Sequence, residues 1–304
     1  MADIETLLRE WEGFATVVRY DRPTGAWIFI ALHDDTLGPA MGGTRIKVYD
    51  RPADGLRDAQ RLAEGMTHKW AAAGLPMGGG KAVLAVAAIP EGEEREGLLR
   101  RYGWLVSSLG GTFGTGPDLG STPEDMATIA RETRFVHGIQ PGGEAIDPGP
   151  YTARGVDQAV RAVARRLFGG EDLSGRTVLV SGLGSVGAPL ARRLRDAGAT
   201  LLLSDVDGSR AEALAAELGA TVVAPSEVAG TACDVYAPDY VANSGGAIAF
   251  HLMAEKAPAE AILARVDGIG GILDEIFDEA AREERSPLWA ARRRVERMLE
   301  ARRS

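Results

Sequence analysis

The stretch "RTVLVSGLGSVGAPLARRLRDAG" (residues 176–198) limits the possible folds most severely. An apolar, β-branched run ends in G-x-G-x-x-G, supplied by Gly182, Gly184 and Gly187, and the last glycine opens a helical pattern. Gly182 permits a tight turn, Gly184 lets a ligand approach the backbone, and Gly187 lets helix and strand pack closely. A second strand-like run, "TLLLSD", ends on Asp205, 18 residues past Gly187. A helix pattern, "SRAEALAAELG", and two more strand candidates, "TVVA" and "DVYAP", follow. This alternation reads as a parallel sheet with helices on its faces. The helix N-terminus would receive a pyrophosphate, and the acid would accept hydrogen bonds from a ribose. The dinucleotide site then comprises Gly182, Gly184, Ser185, Val186, Gly187 and Asp205. A carboxylate there repels a 2′-phosphate and favours NAD over NADP, with Ser204 and Arg210 as neighbours able to alter that choice.

A chain of 304 residues suits two domains of about 150 each. The net charge of −9 argues against nucleic acid or an anionic membrane as partner. The single cysteine, Cys233, cannot form an intrachain disulfide, which fits a reducing compartment. The opening "MADIETLLREWEG" lacks the pattern of a secretory signal, and no apolar run reaches the ~20 residues of a membrane span, so the expected location is cytoplasmic.

The first half alternates strand and helix patterns. "AWIFIALHDD" and "GTRIKVYD" read as strands joined through "TLGPAMGG". Residues 52–74 read as a long helix closed by Gly74, with Leu56, Ala59, Ala63, Met66 and Trp70 near helical spacing. "KAVLAVAAI" reads as a buried strand, and a helix covers roughly residues 92–109. Thr122, Pro123 and the acids after them mark a helix start. The Pro/Gly cluster at 138–150 is the expected domain boundary. From about residue 246 the pattern is helical; the arginines of the last helix read as a solvated face opposite Leu288, Ala291, Val295 and Met298.

A second glycine cluster, "GLPMGGGKAVLAV", places three glycines before Lys81. It is not a nucleotide P-loop, because Leu75 stands six before the lysine and Ala82 follows it. Three glycines leave room for a substrate or another backbone. A lysine starting an apolar strand is partly desolvated, which lowers its pKa towards the range useful for proton transfer. On the preceding helix Met66 and Lys69 share a face, and the second cation suits a carboxylate. Asp118 stands in the glycine-rich "GTGPDLGST", where a carboxylate has free access to a cleft. His33, His68, His137 and His251 show no metal-ligand spacing, so no metal is expected; Cys233 reads as core.

Taken in order, "GPAMGGTR", "GMTHKWAAAGLPMGGGKAVL", "PDLGSTPEDM", "YTARGV", "GLGSVG" and "VYAPDYVANSGG" resemble the glutamate/leucine/phenylalanine/valine dehydrogenases, most nearly the leucine dehydrogenase-like branch. The resemblance implies two α/β domains: a substrate-binding and oligomerisation domain over residues 1–140, and a Rossmann NAD domain over 141–245. Helices at 246–304 would return towards the first domain. It implies NAD-linked oxidative deamination of an L-amino acid to the 2-oxo acid and ammonia in a dry cleft between the domains, by a dimer or larger homo-oligomer. By the same resemblance Lys69 binds the substrate carboxylate, Lys81 is the base that activates water, and Asp118 relays protons. Gly43 lines the substrate pocket, Thr152 meets the nicotinamide amide, and Asn243 lies near the substrate. No extra cation for a glutamate side chain stands in the pocket segments, whereas Met41, Ala247 and Phe250 suit an aliphatic or aromatic one.

The pattern departs from the family where "CDVYAP" runs straight into "DYVANSGG". At ~30 residues per βαβ unit the absent piece is on the order of fifty residues, so the Rossmann sheet is expected to be truncated. Active amino acid dehydrogenase is the first reading. A non-catalytic relative that binds nucleotide or partner subunits is the second, and a different NAD-dependent oxidoreductase on the same scaffold is the third.

Overall fold

The computed structural model describes residues 3–139, 146–228 and 238–303. They divide into two units: residues 1–146 with 294–304, and residues 147–293. The predicted strand "DVYAP" and Cys233 lie outside the described residues, apart from Pro238.

The first unit runs α1 (Ile4–Glu10), β1 (Ala15–Asp21), β2 (Ala26–Asp34), β3 (Ala40–Val48), α2 (Pro52–Ala72), β4 (Gly78–Val86), α3 (Gly92–Ser108), β5 (Phe113–Pro117) and α4 (Pro123–Ala130). The sheet order is β1-β2-β4-β3-β5. β1, β2 and β4 are antiparallel neighbours, while β4, β3 and β5 run parallel. All nine residues of β4 are buried, as a central strand covered on both faces demands.

Side-chain alternation sorts β4 between two cores. Ala82, Leu84 and Val86 join Ile28, Leu98, Tyr102, Phe113 and Met126 under α3 and α4. Val83 and Ala85 join Phe29, Leu56, Ala59 and Ala63 under α2. Helix α2 has Pro52 in its first turn and ends before Gly74, whose φ of +67 suits glycine. Helix α4 begins with a full capping box between Thr122 and Asp125.

Two segments differ from the sequence reading. "AMGG" begins β3 rather than belonging to the preceding connection, and the three glycines before Lys81 lie inside β4 rather than ahead of it. β1 and β5 are strands that the pattern did not disclose.

The second unit runs α5 (Gly149–Phe168), β6 (Thr177–Ser181), α6 (Gly187–Asp196), β7 (Thr200–Ser204), α7 (Gly208–Leu218), β8 (Thr221–Val222), α8 (Pro225–Val228), α9 (Asp239–Ala242), α10 (Gly245–Ala254), α11 (Ala259–Asp267), α12 (Ile269–Arg282) and the start of α13 (Pro287–Arg303). Among the described residues its sheet has three parallel strands, β6-β7-β8. Val180, Leu190, Leu194, Leu201, Leu203 and Leu214 form its core. From Arg294 onward α13 belongs to the first unit, where the Arg294 guanidinium donates to the Ala72 carbonyl at 3.0 Å. Ala291 and Val295 of that helix are buried.

Candidate active site

In the first unit the site is built on one sheet face. Positions 79, 81, 83 and 85 of β4 point towards α2 by alternation, and so do 41, 43 and 45 of β3 beside them. The glycines make this packing possible. A Cβ on Gly79 would run into Thr67 Oγ1 and lie 2.5 Å from the Ala63 carbonyl, so the helix backbone rests directly on the strand. A Cβ on Gly80 would lie 2.8 Å from the Phe113 ring on the other face. Of the two uses the glycines allowed, Gly79 shows the close backbone, while the space at Gly80 is filled by the Phe113 ring.

Lys81, 5% exposed, ends its climb at Asp118, with Nζ 3.0 Å from Oδ1. Gly43 forms the adjoining wall: a Cβ there would lie 3.2 Å from Lys81 Nζ and 2.9 Å from Asp118 Cβ. Asp118 follows β5 directly, and its loop is tied down by Ser121. The Ser121 hydroxyl accepts from Asp118 N–H at 2.9 Å and donates to the Thr44 carbonyl at 2.7 Å. The other Asp118 oxygen, Oδ2, accepts from Arg45 Nε at 2.8 Å.

Burial is the largest influence on both partners of the pair. It pushes Lys81 below the usual 10.5 despite the attraction of Asp118, and repulsion from Arg45 adds to the effect. For Asp118 burial opposes ionisation, but Lys81 and Arg45 outweigh it and hold the carboxyl at about 2. The two directions compete, since a neutral lysine would no longer hold the carboxylate down. The ionised carboxylate is the firmer of the two, because Asp118 touches two cations and keeps 24% side-chain exposure against 6% for Lys81.

Met41 is buried two residues before Gly43, and its thioether packs beside Gly114 and His137. The Met41 carbonyl accepts from Trp70 Nε1 at 3.0 Å. Met66 reaches Gly42, with Cγ 3.3 Å from where a Cβ would sit. Lys69 is half-buried in the last turn of α2, three residues on. His33 bonds to Thr67 Oγ1 at 2.9 Å, a structural use. The geometry thus brings Lys81, Asp118 and Gly43 together and adds Arg45, which the sequence reading did not single out. A cation within a strand pattern, on the same period-two face as Gly43, was the available signal.

The second unit gathers the predicted dinucleotide residues at the C-terminal end of its parallel strands. Gly182 has φ +88, and a Cβ on Gly187 would collide with the Gly182 carbonyl, so both glycines are required by the turn itself. Gly184 differs: nothing lies within 4 Å of its missing Cβ, which leaves that backbone open. Asp205 Oδ2 accepts from the Leu183 N–H at 2.6 Å, and Oδ1 from the Asp207 N–H at 2.9 Å. Those backbone donors hold its carboxyl below the usual value, with Arg210 beside it at 3.5 Å.

Ser185 packs on the start of α5, since a Cβ on Gly149 would lie 2.8 Å from Ser185 Cβ. Thr152 is one turn further along, and its hydroxyl donates to the Pro148 carbonyl at 3.1 Å. Val186 stands at the N-cap of α6. A Cβ on Gly246 would lie 2.6 Å from Thr152 Oγ1, so α10 begins against the same corner. Asn243 caps α9 just before it, half-buried, with a buried Oδ1 that accepts no hydrogen bond from the described residues. Ala247 is half-buried on α10, whereas Phe250 is buried, at 9% exposure. Val206, beside Asp205, is 95% exposed, a position the sequence reading did not mark. Among the described residues no group of His, Cys, Asp and Glu could hold a metal, and no helix is long and apolar enough to cross a membrane.

A two-domain α/β chain with a buried lysine–aspartate pair in one unit and a glycine-rich βαβ turn in the other defines a class of dehydrogenases. Residues 20–135 match the model of the Glu/Leu/Phe/Val dehydrogenase dimerisation domain. The chain is 34% identical to leucine dehydrogenase of Bacillus subtilis over 333 aligned positions, covering 93% of this chain and 91% of that enzyme. The chain belongs to the Glu/Leu/Phe/Val dehydrogenase family. It is 39% identical over 237 residues to leucine dehydrogenase of Bacillus cereus, where the match takes in 78% of this chain but spans only 64% of the relative's length. The structure of L-tryptophan dehydrogenase from Nostoc punctiforme is similar with a TM-score of 0.75 and 32% identity, covering 97% of this chain and 98% of that one. The 333 aligned positions exceed the 304 residues of this chain, so part of the Bacillus subtilis enzyme has no counterpart here.

Proposed function

We propose that the protein is an NAD-dependent dehydrogenase that oxidatively deaminates an apolar L-amino acid to the 2-oxo acid and ammonia. The observation that carries this reading is the buried Lys81–Asp118 pair at 3.0 Å, walled by Gly43. Lys81 is the base: burial favours its neutral amine, which takes a proton from the water that attacks the imino acid. Asp118 relays protons to and from the substrate amine, and Lys69 binds the α-carboxylate. Met41 and Met66 offer apolar surface for the side chain; Asn243, Ala247 and Phe250 keep a substrate role by family resemblance alone. Relatives named leucine, phenylalanine and L-tryptophan dehydrogenase support an apolar amino acid as substrate.

The residues around Gly184 fit a dinucleotide. The open backbone there admits a pyrophosphate, and the α6 N-terminus favours its charge. Asp205, although engaged by two backbone donors, keeps lone pairs for the ribose hydroxyls and disfavours a 2′-phosphate. When bound, NAD supplies the hydride acceptor. Thr152 would hold the carboxamide. The protein is proposed to work in the cytoplasm as a homo-oligomer.

A second reading, a relative that binds nucleotide without turnover, is favoured by two observations: the second sheet has three strands among the described residues, and the chain is shorter than its alignment with the Bacillus subtilis enzyme. The test is NADH formation with NAD and leucine, valine, isoleucine, phenylalanine or glutamate at mildly alkaline pH, with the reverse reaction alongside. Turnover on an apolar amino acid that Lys81→Ala abolishes supports the first reading. NADH binding by folded protein without turnover in either direction supports the second.

A further inference from the structure

The Lys81–Asp118 pair is the inner end of a longer chain of charges. Arg45 Nε donates to Asp118 Oδ2 at 2.8 Å, and its NH1 donates to Asp58 Oδ2 at 2.8 Å. Asp58 also accepts from the Tyr49 hydroxyl at 2.6 Å and from Arg61 at 2.7 Å. Signs therefore alternate from Lys81 through Asp118, Arg45 and Asp58 to Arg61. The Arg45 and Asp58 side chains are 16% and 13% exposed, so the inner links are screened little by solvent. Resting on the dehydrogenase reading above, we infer that Arg45 is the positioning residue of this site: it fixes the Asp118 carboxylate against Lys81, and Asp58 fixes Arg45.

Three observations carry this. Asp118 sits on a loop, and a carboxylate there can turn about its side-chain torsions, whereas Arg45 stands inside β3, a strand paired on both sides. By occupying Oδ2, Arg45 leaves Oδ1 to face Lys81, which is the orientation proton relay requires. The guanidinium donates in two directions at once, to Asp118 and to Asp58, and it cannot give up its proton, so it adds a constant charge and no competing acid. A lysine at this position could supply the charge but not the rigid two-ended bridge.

The charged groups acting on Lys81 come from three elements. Asp118 after β5 attracts its proton, Arg45 on β3 repels it, and Asp58 on α2 attracts it more weakly. Removing the Arg45 charge leaves Asp118 and Asp58 unopposed, so Lys81 holds its proton to higher pH. The chain has four lysines, Lys47, Lys69, Lys81 and Lys256, which makes that titration observable by 13C NMR of labelled lysine, assigned with Lys81→Met.

The experiment compares the full-length protein with Arg45→Gln, Arg45→Lys and Asp58→Asn, reading the Lys81 titration, kcat and KM against pH. In Arg45→Gln, kcat is expected to fall at least about tenfold with KM for NAD unchanged. The Lys81 titration and the rise of kcat/KM with pH should both move up by about one pH unit. Arg45→Lys should return the titration towards the parent value while kcat stays low. A folded Arg45→Gln protein with the parent's titration and pH profile would overturn the positioning role, since a purely structural arginine changes the folded fraction alone. Should Arg45→Gln fail to fold, Asp58→Asn decides: lower kcat with a Lys81 titration that moves slightly down and not up supports the bridge, and unchanged kcat overturns it. If the parent protein turns over no amino acid, the dehydrogenase reading fails, while the Lys81 titration in Arg45→Gln still tests the electrostatic link.

Discussion

At the scale of single residues, the two partners of the buried pair make separable predictions. Truncating Lys81 to alanine removes the proposed base without touching the glycine-rich turn, which belongs to the other unit. Turnover should fall at least about 100-fold, while NADH binding followed by fluorescence stays near the parent's. A variant keeping most of its rate would show that the base is another group. Asp118 makes a prediction about stability. Its folded value of about 2 lies below the ordinary 3.8, so the native state binds its proton less readily than the unfolded chain. The contribution is then complete above pH 3.8 and is lost as pH falls from there towards 2. Urea unfolding of the parent and of Asp118→Asn should differ most near neutrality, and the difference should shrink as the solution is acidified through that window. A constant difference would mean that Asp118 is not held ionised by Lys81 and Arg45.

At the scale of elements, the glycines divide into those that pack and those that leave room. Gly79 lies under α2, where a Cβ would meet Thr67 and Ala63, so Gly79→Ala should destabilise the chain by about 1–3 kcal/mol through overpacking. Gly65, in the middle of α2 with nothing within 4 Å, is the control: Gly65→Ala should stabilise by about 0.5–1 kcal/mol. Denaturant midpoints measure both, and equal effects of one sign would sink the distinction. The same contrast holds in the dinucleotide turn. Gly184→Ala should fold as the parent does yet bind NADH at least about tenfold more weakly, whereas Gly187→Ala should lose stability as well, because its Cβ meets the Gly182 carbonyl. Thermal melting beside NADH titration separates the two, and undiminished NADH binding by Gly184→Ala would remove the pyrophosphate from that position. These elements also mark how far the sequence could be read. The βαβ turn, α2 and the helix start at Thr122 are local patterns and were legible. β5, "FGTGP", has so few β-formers that it reads as a loop, and β1 has only one fully buried residue, Asp21, so its alternation is weak. Arg45 and Asp118 are 73 residues apart, and only the parallel pairing of β3 with β5 brings them together.

At the scale of the whole molecule, the first unit ends in an edge that a lone chain would leave bare. β1 pairs with β2 on one side and with no other strand among the described residues. Along it and nearby, Phe14, Val18 and Tyr20 are between 40% and 49% exposed, and Trp104, stacked under Arg19, is 59% exposed. An open strand edge beside large exposed apolar side chains invites association, and charged or bulged edges are the usual protection. Arg19 is the single charge within the strand before Asp21, and its guanidinium lies over Trp104 rather than standing clear of the edge. The match of residues 20–135 to a domain described as a dimerisation domain points the same way. The protein should therefore sediment at a multiple of its 32.1 kDa chain mass, with two-fold pairing the commonest arrangement. Placing a charge in the exposed row, as in Tyr20→Glu, should shift the distribution towards monomer while far-ultraviolet circular dichroism is unchanged. Sedimentation velocity across a hundredfold range of concentration reads both. A parent protein that stays monomeric throughout would mean that the β1 edge is tolerated in water and that the homo-oligomer is not how this chain works.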